Sequence, residues 1–201
     1  MSVAVLALQG DFEAHGAALA RAGAAWHEAR TAEEIREATA LVVPGGESTT
    51  VRKLMEGTGI DEAIREIARR GDPVLGTCAG AILLAATILH PPGEGLGLLD
   101  ATVVRNAYGR QLDSAVVRLT DLDRNALGEA PLEAVFIRAP RFRSVGPSVD
   151  VLARRDADPV LVRQGNLLAA TFHPELADDP RVFDLFLSLG RVARRARAAG
   201  G

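Results

Sequence analysis

The chain has 201 residues, 48% of them hydrophobic and 24% charged, with a formal net charge of −3. This is the make-up of an ordinary globular protein long enough to bury a sizeable core, and it excludes a strongly basic nucleic-acid binder. The single cysteine excludes an intramolecular disulfide and, as a free thiol, suits a reducing cytosol.

Residues 3–8 form a continuous apolar run, the pattern of a central parallel strand covered on both faces. The run is too short for a signal-peptide core and no basic residue precedes it, so the cytosol is the expected compartment. Residues 11–21 carry helical spacing and include His15, while His27 follows Trp26 near a strand start. Thr31 and Glu34 make a capping box for a helix to about residue 38. A strand over 40–43 breaks at Pro44-Gly45-Gly46-Glu47-Ser48-Thr49-Thr50. Two glycines there let backbone N–H groups face a ligand, and Ser48 or Thr49 can cap the helix over 49–56. A further helix covers 61–70.

Pro73-Val74-Leu75 reads as a strand end, and the apolar residues 79–89 read as a buried helix that ends at His90-Pro91-Pro92. Gly93, Gly95 and Gly97 follow prolines and not a strand, so they form a loop and no dinucleotide fingerprint. Short strand-like runs follow at 101–105, 114–119, 134–138, 149–154 and 160–163, with little helix between them. They predict an antiparallel addition before a last strand at 167–172. Asp178-Asp179 ahead of Pro180 is a helix-start signal for an amphipathic helix over 181–197. The alternation in the first half predicts a three-layer α/β/α sandwich with a mixed, mostly parallel sheet, flavodoxin-like, built as one domain over 1–201.

Cys78 lies between two glycines in Gly76-Thr77-Cys78-Ala79-Gly80, on the strand-to-helix turn. A nucleophile on so sharp a turn needs small neighbours, and a helix N-terminus favours the thiolate and offers N–H groups to an oxyanion. A lone cysteine is also compatible with a structural thiol; the flanking glycines favour the nucleophile. A thiol at neutral pH needs a base. Of four histidines, His15, His27 and His90 read as structural or solvated. His173 ends an apolar strand and precedes Pro174 and Glu175, whose carboxylate can accept the second imidazole N–H. Gly45-Gly46, Cys78 and His173-Glu175 all fall at strand carboxyl ends, where open α/β sheets bind ligands. There is no CxxC, HExxH or carboxylate-rich loop to hold a metal, and no cofactor signal.

Together GTCAG, HPE and PGGES resemble the class I (triad) glutamine amidotransferases. ALQGDFEAH, PGGESTT, GTCAGAILLA, RNAYGRQ, FIRAP and FHPEL narrow this to the glutaminase subunits of ribose 5-phosphate-dependent pyridoxal 5′-phosphate synthases, in family order over residues 3–176. The resemblance implies hydrolysis of L-glutamine through a thioester on Cys78, with His173 moving the proton and Glu175 orienting it. It implies an oxyanion hole from the N–H groups of Gly46 and Ala79, and L-glutamine bound by Gly46, Glu47, Ser48, Arg105, Ile137 and Arg138. A guanidinium suits the α-carboxylate of a free amino acid. The implied partner is a barrel-shaped synthase that uses the ammonia and activates the glutaminase, in a large hetero-oligomer without nucleic acid or membrane. The other readings are a glutaminase serving another synthase, such as that of the histidine pathway, a silent docking subunit, and a cysteine hydrolase or stress protein on a similar sheet and elbow. Arg141 departs from the histidine expected after FIRAP, and Arg138, Arg141 and Arg143 read as local site and interface chemistry.

Overall fold

The computed structural model describes residues 2–105 and 114–199. RNAYGRQ beyond Arg105 therefore lies outside the described residues. Five parallel strands form the centre: β1 (Val3–Leu6), β2 (Trp26–Ala29), β3 (Ala40–Val43), β4 (Val74–Thr77) and β14 (Leu167–Ala170). The full sheet runs β2-β1-β3-β4-β14-β13-β12-β9, and its last three strands are antiparallel: β13 (Asp158–Gln164), β12 (Asp150–Arg155) and β9 (Asp121–Leu122).

β1, β3 and β14 are apolar at every position because both faces are covered. Ala4, Leu6, Leu41 and Val43 face one core, while Val3, Val5, Ala40 and Val42 face the other. The first core is closed by α2 (Ala32–Glu37), α3 (Ser48–Met55), α4 (Ile60–Arg69) and α5 (Ala79–Leu84). In α4, Ile60, Ala63, Ile64 and Ile67 make the buried stripe at helical spacing. The second core is closed by α1 (Phe12–Arg21) and α7 (Arg181–Ala199), whose Val182, Phe183, Phe186 and Leu187 are buried. The short α6 (Arg124–Leu127) adds Leu127 to it. Among the described residues no helix is long and apolar enough to cross a membrane.

The predicted helix over 79–89 is half right. It ends at Leu84, and β5 (Ala85–Leu89) follows with Ala85 already extended. The cause is tertiary: the backbone N–H groups of Leu96, Leu98 and Gly97 bond the carbonyls of Leu83, Leu84 and Ala85, taking the acceptors a longer helix needs. His90 accordingly follows a strand, in a left-handed turn at φ 57°, and caps no helix.

The later strands are also more divided than one antiparallel addition. Only β12 and β13 join the main sheet, with the two-residue β9 at its edge. β7 (Leu99–Val104) pairs with β11 (Arg141–Val145) and, in parallel, with β5, which also carries β6 (Gly93–Glu94). β8 (Ser114–Leu119) and β10 (Leu132–Ile137) form a separate antiparallel ribbon. The last strand stops at Ala170, although Thr171 still donates to the Val160 carbonyl.

Candidate active site

Cys78 links β4 to α5 with φ 47° and ψ −103°, a conformation costly for a residue with a side chain. Its N–H donates to the Ala170 carbonyl on β14 at 2.8 Å, so the turn is tied to the neighbouring strand. The glycines around it are close contacts rather than flexible joints. A Cβ on Gly80 would sit 1.9 Å from the Val43 carbonyl oxygen, and one on Gly76 would sit 2.7 Å from Leu84 Cδ1. Cys78 is 8% exposed, with its Sγ 3.9 Å from the Ile137 carbonyl.

His173 stands three residues beyond the end of β14, and its N–H bonds the Val135 carbonyl at 2.8 Å. Pro174 opens a short 3₁₀ turn, Pro174–Leu176, which folds the Glu175 side chain back under the ring. Nδ1 of His173 lies 2.6 Å from Glu175 Oε1, leaving Nε2 for the Cys78 thiol. Burial alone would pull the imidazolium down. Its hydrogen bonds to Cys78 and Glu175, with the charges of both, outweigh burial and push the group up to about 10. A group so raised is able to hold a proton taken from the thiol.

The loop after β3 lies beside this pair. A Cβ on Gly45 would come within 2.6 Å of His173 Cε1 and 3.3 Å of Cys78 Cβ. Gly45 N–H donates to Thr77 Oγ1 at 3.0 Å, and Glu47 N–H donates to Gln9 Oε1 at 2.7 Å. Gly46 has φ 151°, which only glycine adopts easily. The cap of α3 differs from expectation. Glu47 takes the N-cap position; its carboxylate accepts from the Thr50 hydroxyl at 3.0 Å but caps no backbone N–H of the helix, and Ser48 is already its first residue. The loop is held by Gln9 and Thr77 instead.

Gly46, Glu47, Ser48, Arg105, Ile137 and Arg138 line a cavity of about 210 Å³ together with Cys78, His173 and Ile82. Ala79 is buried directly behind the thiol, and Glu175 is 4% exposed behind the imidazole. Arg105, just past β7, donates to Thr49 Oγ1 at 2.7 Å. Arg138 is exposed at the end of β10, with a left-handed φ of 43°. Arg141 is turned elsewhere, paired with Asp158 at 2.6 Å. A larger depression of about 330 Å³ between α3 and α4 is lined by Arg52, Glu56 and Asp61 among others, with no thiol, hydroxyl or imidazole in its lining.

Sequence reasoning missed three residues that hold the site: Gln9, Thr77 and His15. His15 is fully buried, with Nε2 2.8 Å from Thr77 Oγ1 and 3.3 Å from Glu175 Oε2. The available signal was its place on the apolar stripe of α1, on the same helix face as the buried Ala18 and Leu19.

A thiol on a strand-to-helix elbow, an imidazole backed by a carboxylate and a glycine loop at the ends of adjacent parallel strands make this fold that of the class I glutamine amidotransferases. The family model of the SNO glutamine amidotransferases matches residues 5–190. The chain is 50% identical to the pyridoxal 5′-phosphate synthase subunit PdxT of Koribacter versatilis, covering 95% of this chain and 96% of that one. It is 52% identical to the same subunit of a Thermus thermophilus strain, over 94% and 98% of the two chains. A crystal structure of a glutamine amidotransferase, 48% identical, superposes with a TM-score of 0.87 over 94% of this chain and 98% of that one. PurLQS from Thermotoga maritima, at 18% identity and a TM-score of 0.71 over 93% and 97% of the chains, shares the fold. The chain belongs to the SNO glutamine amidotransferase family.

Proposed function

We propose that this chain is the glutaminase subunit of a pyridoxal 5′-phosphate synthase, hydrolysing L-glutamine to L-glutamate and passing the ammonia to a barrel-shaped synthase subunit. The observation that carries the chemistry is the 2.6 Å bond between His173 Nδ1 and Glu175 Oε1 beside the strained Cys78. His173 Nε2 takes the thiol proton and Sγ attacks the side-chain carboxamide carbon. The resulting oxyanion accepts hydrogen bonds from the N–H groups of Gly46 and Ala79. Collapse expels ammonia with the proton from His173 and leaves a thioester. A water that gives a proton to His173 then attacks the thioester carbon, releasing glutamate and restoring the thiol. Glu175 holds the ring in the tautomer that keeps Nε2 toward sulfur and stabilises the imidazolium.

Recognition falls to the rim of the cavity. The guanidinium groups of Arg105 and Arg138 suit the α-carboxylate, and the carboxylate of Glu47 suits the α-ammonium. Ser48 and Ile137 complete the wall against the substrate chain. A reactive thiol of this kind belongs in a reducing compartment, so the cytosol is its place of work.

The test is glutamate release from L-glutamine by the purified chain, alone and with the barrel synthase subunit, beside Cys78→Ala. The expected result is a rate that rises with the partner and vanishes in the variant. Glutamate release that survives Cys78→Ala, or a wild type inactive with the partner present, would overturn the proposal.

A further inference from the structure

His15 is a buried titratable group that the glutaminase mechanism does not use. It lies on α1, 62 positions from Thr77 in sequence, yet its ring sits between the elbow strand and the triad carboxylate. Its Nδ1 is 2.7 Å from the Asp11 carbonyl oxygen. A carbonyl can only accept, so Nδ1 carries the proton. Burial, the dominant influence, holds the ring below the ordinary histidine range, against the charge of Glu175 and the Asp11 bond. The ring is therefore neutral and its Nε2 is an acceptor.

That tautomer sets the direction of the whole chain of bonds. Nε2 accepts the hydroxyl proton of Thr77, and the Thr77 oxygen in turn accepts the N–H of Gly45 in the glycine loop. On its other side the same Nε2 stands 3.3 Å from Glu175 Oε2. That oxygen is fully buried and has no hydrogen-bond partner among the described residues. A neutral ring there excludes water from the carboxylate without donating to it, so the carboxylate's one strong hydrogen bond goes to His173. Phe183 of α7 meets the edge of the ring, centroids 6.4 Å apart, and closes the remaining side. The charged and titratable groups around the ring are Glu175, His173 and Asp11.

We propose that His15 is a positioning residue for the glutaminase, its ring packed against the buried carboxylate of Glu175 while its Nε2 accepts from Thr77 and thereby fixes the Thr77–Gly45 bond, so that the proton relay and the oxyanion loop are held in fixed relation. This rests on the glutaminase reading and deepens it. It assigns a role to a histidine that touches neither the substrate cavity nor the reacting atoms.

The experiment compares wild type, His15→Leu, His15→Gln and Thr77→Val, each assayed as glutaminase with the barrel synthase subunit. Glutamine places a polar atom near the position of Nε2 and leucine does not, while Thr77→Val keeps volume and removes only the hydroxyl. A displacement of about 1 Å at a reacting group costs roughly 100-fold in rate. The expected result for His15→Leu is a kcat lower by about 10- to 100-fold, with KM for glutamine within about threefold of wild type. His15→Gln recovers most of that loss, and Thr77→Val lowers kcat in the same way. If His15→Leu fails to fold, His15→Gln and Thr77→Val decide the matter by the same split between kcat and KM. His15→Gln as slow as His15→Leu, or Thr77→Val at the wild-type rate, would overturn the proposal while leaving an active wild type. An inactive wild type would sink the glutaminase reading itself, and this one with it.

Discussion

Gly80→Ala is a one-carbon change that tests whether the elbow is positioned by backbone contact. In the structure, a Cβ at residue 80 lies 1.9 Å from the carbonyl oxygen of Val43, which belongs to the neighbouring strand and cannot rotate away. Reaching even about 3.0 Å requires α5 to retreat by roughly 1 Å, because 3.0 less 1.9 is 1.1. Cys78 is the N-cap of that helix, so its thiol moves with it relative to His173 beyond β14. Misplacement on that scale costs about 100-fold in rate, and overpacking a tight contact costs about 1–3 kcal/mol of stability. For a chain of this size that amounts to a fall in Tm of roughly 2–12 °C. The assay is glutamate release with the synthase subunit, alongside thermal unfolding of the same preparation. A folded Gly80→Ala protein retaining more than about a third of wild-type kcat would refute the reasoning. It would mean either that the helix yields without moving the thiol or that the thiol is not the reacting group.

Glu175→Gln keeps the shape of the triad carboxylate and removes its charge, so kcat should fall by about 10³-fold or more, read by the same assay. The same variant carries a pH signature. His173 is raised from 6.5 to about 10 in the folded state, so its contribution to stability is fully present below pH 6.5 and is lost as pH rises through 10. The wild-type advantage over Glu175→Gln in denaturant midpoint should therefore shrink between those pH values; an advantage that grows would contradict the assignment. Arg138→Ala should raise KM for glutamine by about 10-fold or more, the scale of one charge-assisted bond, with a smaller change in kcat. Saturation kinetics that leave KM unmoved would remove Arg138 from the binding site.

What the sequence made legible was whatever its local grammar dictates. Gly76 and Gly80 flank Cys78 because only a missing Cβ fits against Leu84 and Val43, and that need is visible as two glycines around one thiol. Pro174 turns the chain within two residues, so His173 and Glu175 could be read as a pair from their spacing alone. The strands β1 and β3 were legible because burial on both faces leaves no polar position to obscure them. What stayed hidden depends on partners distant in sequence. Nothing within the apolar residues 79–89 marks Leu84 as a helix end, since the competing donors come from Leu96, Gly97 and Leu98. The later strands were visible as strands, but their division among three sheets is a matter of which edge each one meets. His15 was passed over for the same reason: its neighbours Thr77 and Glu175 arrive only once α1 packs against the sheet.

The sheet order explains why the residues proposed to react and those proposed to bind substrate are built differently. β3, β4 and β14 are consecutive neighbours, and their register sets Val43 beside Gly76 and Thr77 beside Ala170. Gly45, Cys78 and His173 each follow one of these strands within three residues, so the distances among them are inherited from a hydrogen-bond ladder that tolerates little slip. Arg105 and the Ile137-Arg138 pair come instead from the ends of β7 and β10, in two other sheets that share no ladder with the central one. β10 still touches the central groups, its Val135 carbonyl accepting the His173 N–H at 2.8 Å and its Ile137 carbonyl lying 3.9 Å from Cys78 Sγ. The ladder of β3, β4 and β14 and the contacts of β10 therefore set Gly45, Cys78 and His173 together, while β7 brings Arg105 to the cavity from a sheet that shares no ladder with them among the described residues.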